Sequence, residues 1–208
     1  LSFGSSGHRS STQKMFGSYS FAGNGSRNIQ LPDHANWDFG TSDYTIESWV
    51  WITTLVNNFS LLYFTGAWGS NVYDFTIRAN TANWELYTYN GSTDHGRRAT
   101  RTIPTGEWHH YAVSRTSSVT KLFFDGAEET LADVGSSGAG SDNLRSGSNI
   151  PTIGSNNWTT STGFWDEYRI SNVGRYTSNF TPNEVSTVSA TGTLISDTQT
   201  SSVATTKM

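Results

Sequence analysis

Carboxylates, histidines and aromatic rings are the side chains of this sequence that could do chemistry, and their spacing decides which chemistry is open to them. Two acids about 5 Å apart on one strand face would cleave glycosidic bonds. That geometry needs acids at i and i+2 or i+4 within a strand. Glu47, in Thr45-Ile46-Glu47-Ser48-Trp49, has no such partner because Asp43 stands at the start of the strand, and Glu167 directly follows Asp166. Hydrolysis is therefore not expected. His109 and His110 are neighbours, so on a strand they point to opposite faces and cannot converge on one proton or metal. One is expected to pack with its ring hydrogen-bonded and the other to face solvent. His8, His34 and His95 stand alone in polar stretches, and with no cysteine there is no thiolate, zinc–thiolate site or disulfide.

Binding is the more promising chemistry. A sugar ring needs an exposed aromatic face flanked by amides and carboxylates. Two stretches offer this: Gly66-Ala67-Trp68-Gly69-Ser70-Asn71 with Tyr73 close behind, and Ser155-Asn156-Asn157-Trp158. The candidate ligand-binding residues are therefore Trp68, Asn71, Tyr73, Asn156, Asn157 and Trp158, with Trp37 and Trp84 as weaker ones. A second surface is possible where Asp74, Thr76 and Arg78 share one strand face, with Glu85 and Tyr87 opposite or alongside according to register. A chain with 8 Trp, 9 Tyr and 11 Phe must leave several rings partly exposed, so packing explains any single one equally well.

The elements that would hold these residues are short strands. Apolar and polar residues alternate with period two between clusters of Gly, Asn, Asp and Ser, and helical periodicity is nearly absent. Strands are expected at 19–21, 28–31, 44–52, 60–65, 73–79, 84–89, 100–103, 108–115, 120–124, 152–153 and 163–170. Asn24-Gly25, Asn90-Gly91 and Asp125-Gly126 accept positive φ and close hairpins. Residues 134–149, rich in Ser and Gly, read as a long exposed loop. About a dozen strands imply an all-β, two-sheet sandwich. The chain divides into an N-terminal arm or linker (1–15), the sandwich (16–186), and a Ser/Thr-rich C-terminal linker or start of a following element (187–208).

A net charge of −4 with Arg97, Arg98 and Arg101 as the sole basic cluster gives no footprint for nucleic acid. No window approaches the ~20 apolar residues of a membrane span, so membrane insertion is not expected. The start, Leu1-Ser2-Phe3-Gly4, reads as part of a larger protein. Sequons at Asn24, Asn58, Asn90, Asn157 and Asn179 are expected by chance in so Asn- and Ser-rich a chain.

Three ordered segments carry a family resemblance. The first is Ser18-Tyr19-Ser20-Phe21-Ala22-Gly23-Asn24-Gly25, with Ile29-Gln30-Leu31-Pro32 and Asp43-Tyr44-Thr45-Ile46-Glu47-Ser48-Trp49-Val50. The second is Trp108-His109-His110-Tyr111-Ala112-Val113-Ser114-Arg115 with Leu122-Phe123-Phe124-Asp125-Gly126. The third is Ile153-Gly154, Gly163-Phe164-Trp165-Asp166-Glu167-Tyr168-Arg169-Ile170-Ser171 and Arg175-Tyr176-Thr177-Ser178-Asn179-Phe180-Thr181-Pro182. Together they resemble the laminin-G-like, concanavalin A-like lectin family, in the subgroup found in phage, marine-virus and bacterial surface proteins. Trp165 departs from the family's usual aliphatic residue, and Thr181-Pro182-Asn183 from its usual prolines.

The resemblance implies an antiparallel jelly roll whose N- and C-terminal strands are adjacent in one sheet. It also implies a structural calcium held by Asp166 and the carbonyls of Gly23 and Asn24, with Asp74, Asp94 and Asp142 as an alternative rim set. The plainer expectation is that Asp166 and Glu167 pair with Arg169, Arg175 or Lys14. For function it implies a non-enzymatic, extracellular recognition or adhesion module of a larger virion or cell-surface protein such as a tail fibre. Its expected partners are glycans, surface proteins or copies of itself. The alternative is a purely structural subunit: capsid decoration, fibre spacer or filament protein.

Overall fold

The computed structural model describes residues 2–3, 8–23, 29–32, 34–37, 39–56, 59–65, 74–89, 94–135, 150–154 and 162–183. Alternation builds two antiparallel sheets from them. One has eight strands in the spatial order β1 (Ser2–Phe3), β4 (Ile29–Gln30), β14 (Ile150–Ile153), β6 (Phe59–Thr65), β7 (Asp74–Ala79), β8 (Asn83–Tyr89), β9 (Asp94–Thr100) and β13 (Leu131–Asp133). The other has seven, in the order β12 (Ala127–Glu128), β11 (Val119–Phe124), β10 (Trp108–Thr116), β5 (Tyr44–Thr54), β15 (Thr162–Ser171), β3 (Ser20–Gly23) and β2 (His8–Ser10). The first and last long segments of the sandwich, β3 and β15, are paired as the resemblance implied.

Every second residue of β5 faces the other sheet: Tyr44, Ile46, Val50 and Ile52 are buried with Ile77, Trp84, Leu86, Tyr111, Val113, Leu122 and Trp165. Each fully buried side chain of Leu or Phe size contributes roughly 1.5–3 kcal/mol. The indole of Trp165 stacks on Phe59 at 5.0 Å, and Trp84 meets Tyr111 edge-on at 5.3 Å, so aromatic pairs fill the space that aliphatics would otherwise take. Asp125 (φ 49°) and Gly126 (φ 77°) close the β11–β12 hairpin with two positive φ values, as the dipeptide predicts.

Two departures from expectation have physical reasons. The strand expected at 100–103 runs instead over Asp94–Thr100, where polar residues hid the alternation. Its ladder to β8 holds it, with Ala99 buried in the core and Arg97, on the same core-facing side, taken up by Asp133, while the outward Arg98 is taken up by Glu85. The first residues, expected as an arm, supply the edge strands β1 and β2, which are too short to show a period.

The outer face of the seven-stranded sheet is covered by the chain itself. After β15, residues 172–183 cross β5, β10 and β11, fixed at each step by a hydrogen bond. The Thr45 hydroxyl donates to the carbonyl of Val173 (2.8 Å), and Tyr176 N–H donates to the Ser114 hydroxyl (3.2 Å). The Lys121 ammonium donates to the Thr177 carbonyl (2.8 Å), Glu128 N–H to Asn179 Oδ1 (2.9 Å), and Phe180 N–H to the Gly126 carbonyl (2.9 Å). Gly126 is required here, because a Cβ on it would lie 2.0 Å from the Phe180 carbonyl. Tyr176 and Phe180 stack at 3.6 Å over this face.

Candidate functional site

The eight-stranded sheet resolves the register left open in the sequence. Thr76 pairs with Tyr87 and Tyr87 with Gly96; Arg78 pairs with Glu85 and Glu85 with Arg98. Tyr87 and Glu85 therefore lie alongside Thr76 and Arg78, on the face turned away from the core. Glu85 is 2% exposed, clamped by Arg78 Nε and Arg98 Nε at 2.6 Å each. The Arg78 guanidinium lies 4.1 Å over the Tyr87 ring, a cation–π contact that fixes the ring on rigid strands. Gly96 adds no side chain across from Tyr87, and no Cβ would fit, since it would meet the Leu86 carbonyl oxygen at 2.1 Å.

The other sheet carries a second buried acid, Glu47, directly under the 172–183 segment. Arg169 Nε donates to its Oε1 (2.7 Å), the Tyr176 hydroxyl to its Oε2 (2.7 Å), and His110 Nε2 lies 3.3 Å from Oε2. Burial pushes the Glu47 carboxyl up, but the His110 contact, the Arg169 charge and the Tyr176 hydroxyl outweigh it and hold it below the ordinary carboxylate range. An acid so held stays ionised at neutral pH and has no proton to give a leaving group.

A cleft of about 570 Å³ opens between the sheets at the edge where β2, β3 and β15 face β4 and β14. Phe21, Ile29, Ile153 and Trp165 line it deeply, and Arg9, Tyr19 and Glu167 stand nearer its mouth. Two devices shape it. A bulge in β15 between Asp166 and Arg169 puts Glu167 at φ 49°. Asp166 then binds the N-terminal segment, its Oδ2 accepting from Met15 N–H (2.9 Å) and Phe16 N–H (3.1 Å) and its Oδ1 from Glu167 N–H (2.9 Å). The Arg9 guanidinium lies 4.2 Å over the Tyr19 ring at the rim.

The loop residues singled out in the sequence, Trp68, Asn71, Tyr73, Asn156, Asn157 and Trp158, lie outside the described residues, as do Asn24 and Asp142. Trp84 is corrected: it is fully buried in the core, inward like every second residue of β8, and takes no ligand. Asp74 and Asp94 are each paired with Tyr89, two strands apart. His109 and His110 do point apart, His110 buried against Trp49 and Phe180, and His109 stacked on Phe124 with Nδ1 2.7 Å from Asp125 Oδ2. Arg169 serves Glu47 rather than Asp166.

Gly23 is a ladder residue opposite Gly163, and both oxygens of Asp166 face N–H donors, where a calcium ion needs six to eight oxygens. Among the described residues no three His, Cys, Asp or Glu gather. Of the expected calcium set, Gly23 and Asp166 are engaged in this way and Asn24 lies outside the described residues; nothing below is routed through a metal. Sequence reasoning missed the cleft because Arg9 sits in a segment without periodicity, the strand expected at 19–21 does not show what it faces, and the bulge that admits Glu167 has no local signature.

The sequence model described as the concanavalin A-like lectin/glucanases superfamily matches residues 23–186. No curated protein matches the chain. Among solved structures the chain is similar to domain 4 of AbnA, a GH43 extracellular arabinanase from Geobacillus stearothermophilus, in complex with arabinotriose. The TM-score is 0.62 at 21% identity, over 82% of this chain and 77% of that one. It is also similar to the binding domain of botulinum neurotoxin DC in complex with SialylT (TM-score 0.58, 10% identity, 82% and 42% covered). A third is the cellulose induced protein Cip1 (0.53, 12%, 81% and 86%). At these identities the likeness concerns the fold.

Proposed function

The chain belongs to the concanavalin A-like lectin/glucanases superfamily, and from that premise we propose that it is a non-catalytic carbohydrate-binding domain using the outer face of its eight-stranded sheet. The observation that carries this reading is the Tyr87 ring, held by Arg78 beside Glu85, Arg98 and Thr76, with a side-chain-free position opposite. A fixed aromatic face gives a sugar's C–H surface something to stack on. The adjoining guanidinium donors and hydroxyls serve the sugar hydroxyls. Two similar folds are complexes with arabinotriose and SialylT, which supports glycans as the ligand class.

The non-catalytic part of the proposal rests on the acids: the Glu47 carboxyl, held below its ordinary range by His110, Arg169 and Tyr176, has no proton for a glycosidic oxygen, and both oxygens of Glu85 are engaged by Arg78 and Arg98. The wider setting we propose is extracellular, as a recognition or adhesion module on a cell or virion surface. A glycan array followed by calorimetry on arabinan and sialylated oligosaccharides tests it. Tyr87→Ala is expected to weaken binding at least about tenfold, the value of one good ring contact of ~1.4 kcal/mol, with an unchanged melting temperature. Trp68→Ala and Trp158→Ala report on the rim loops in the same assay. An array without a hit, or full binding by Tyr87→Ala, ends this reading.

A further inference from the structure

We propose that the cleft between β3–β15 and β4–β14 is a second binding site, which captures the terminal residue of an uncharged saccharide end-on. Only the ligand class rests on the carbohydrate-binding reading; the site itself is argued from three observations. Its volume of about 570 Å³ lies within the roughly 300–1,000 Å³ of small-molecule pockets. Its floor is closed, because Trp165 and Ile153 belong to the core, so a chain cannot thread through and a terminal ring alone reaches the bottom.

The second observation concerns satisfaction. Trp165 is 2% exposed and its indole N–H has no hydrogen-bond partner among the described residues; the buried hydroxyl of Tyr168, also in the lining, has none either. Other buried polar atoms of the described residues, such as Trp84 Nε1 and the Tyr111 hydroxyl, also lack a partner; these two differ in belonging to residues that line one cleft, where a ligand's oxygen acceptors would serve them.

The third observation is polarity. Among the described lining residues Arg9 offers donors at the mouth, whereas Asp166 and Glu167 bring two carboxylates against that one cation. An anionic sugar would meet net repulsion. A neutral sugar's hydroxyls both donate and accept, so they serve guanidinium and carboxylate together while its C–H face lies on Tyr19 and Phe21. Tyr19, 48% exposed and covered on one face by Arg9, forms the rim.

Calorimetry on the full chain tests this, with methyl glycosides of neutral pentoses and hexoses as probes and methyl glucuronide as the acidic control. At least one neutral glycoside is expected to bind, and the glucuronide at least about tenfold more weakly. Tyr19→Ala and Arg9→Ala should each lose about tenfold in affinity for the neutral probe, whereas Tyr87→Ala should lose none.

Trp165→Phe and Tyr168→Phe keep the rings and remove the donors. They are expected to weaken binding about three- to tenfold with an unchanged or raised melting temperature, since removing an unpaired buried polar atom relieves a cost. A lowered melting temperature would mean these atoms are partnered within the fold, and the site would be refuted. Equal affinity of Tyr19→Ala and wild type for every probe would refute it too. Binding lost in Tyr87→Ala but kept in Tyr19→Ala would assign all recognition to the sheet face and none to the cleft.

Discussion

Each sheet of the sandwich buries a glutamate on its outer face, and each glutamate is neutralised by arginine, yet the two faces do opposite things. Glu47 lies under residues 172–183, with Arg169, Tyr176 and His110 around it and the Tyr176–Phe180 stack above. Among the described residues, Glu85 is covered by the two guanidiniums that clamp it, Arg78 and Arg98, whose side chains remain 23% and 40% exposed. The same ion-pair chemistry locks a segment in one place and presents a charged, aromatic surface in the other. What separates them is whether the chain returns to cover the pair.

The largest effect follows from that difference. Glu47→Ala leaves Arg169 buried without its counter-charge and removes the acceptor of the Tyr176 hydroxyl, so a loss of about 3–5 kcal/mol is expected in urea unfolding. Glu85→Ala strands two arginines that can turn toward water, and about 1 kcal/mol is expected. Equal losses would erase the distinction between the two faces. Less severe is Phe180→Ala, which removes the ring stacked on Tyr176 and set against Phe123; about 2 kcal/mol is expected from the apolar area it covers. Tyr87→Ala, the matching truncation on the other face, is expected to cost under about 1 kcal/mol, with its effect appearing in glycan affinity instead.

The strands under the covered face were readable from residue order, whereas the return of residues 172–183 across them was not. Trp108-His109-His110-Tyr111 and Trp165-Asp166-Glu167-Tyr168-Arg169 pointed to paired strands, and Asp125-Gly126 to the hairpin on which Phe180 rests. These are local patterns of period two and positive φ, which a sequence displays directly. The presented face was half readable: alternation put Asp74, Thr76 and Arg78 together, but only the β7–β8 and β8–β9 registers bring Glu85 and Arg98 to Arg78. Register between strands is a tertiary fact. The cleft was not readable at all. Arg9, Phe21, Ile153 and Trp165 are far apart in the chain and meet through the stacking of two sheets and one bulge.

Acidity gives a further separation. Because the Glu47 carboxyl is held below its ordinary value of 4.5, its contribution is fully present above that value and is lost as pH falls through the lower, folded one. Between about pH 5 and pH 3 the wild type should therefore lose stability faster than Glu47→Gln, which has no proton to take up there. Parallel curves from thermal melts across that range would show that the buried network does not govern acid unfolding of this face.

The smallest effect expected tests the hairpin that supports the covered face. Asp125 Oδ1 accepts from His110 N–H at 2.8 Å and Oδ2 faces His109 Nδ1 at 2.7 Å, so one carboxylate joins the turn under Phe180 to the histidine beside Glu47. Burial pushes the His109 imidazole down, but Asp125 and Glu107 raise it above its ordinary 6.5. Burial likewise pushes Asp125 up, and His109 and the His110 N–H pull it below 3.8. The histidine's contribution is then complete below about pH 6.5 and vanishes as pH rises through its higher, folded value. The aspartate's is complete above 3.8 and vanishes as pH falls, which leaves a plateau between the two. Both groups are partly exposed, so screening reduces the pair to a few tenths of a kcal/mol, or about 1–2 °C in a domain of this size. His109→Gln should accordingly melt about 1–2 °C below wild type at pH 5.5 and level with it at pH 9. A gap that widened as pH rose would reverse the sign and remove the charged pair from the account of this edge.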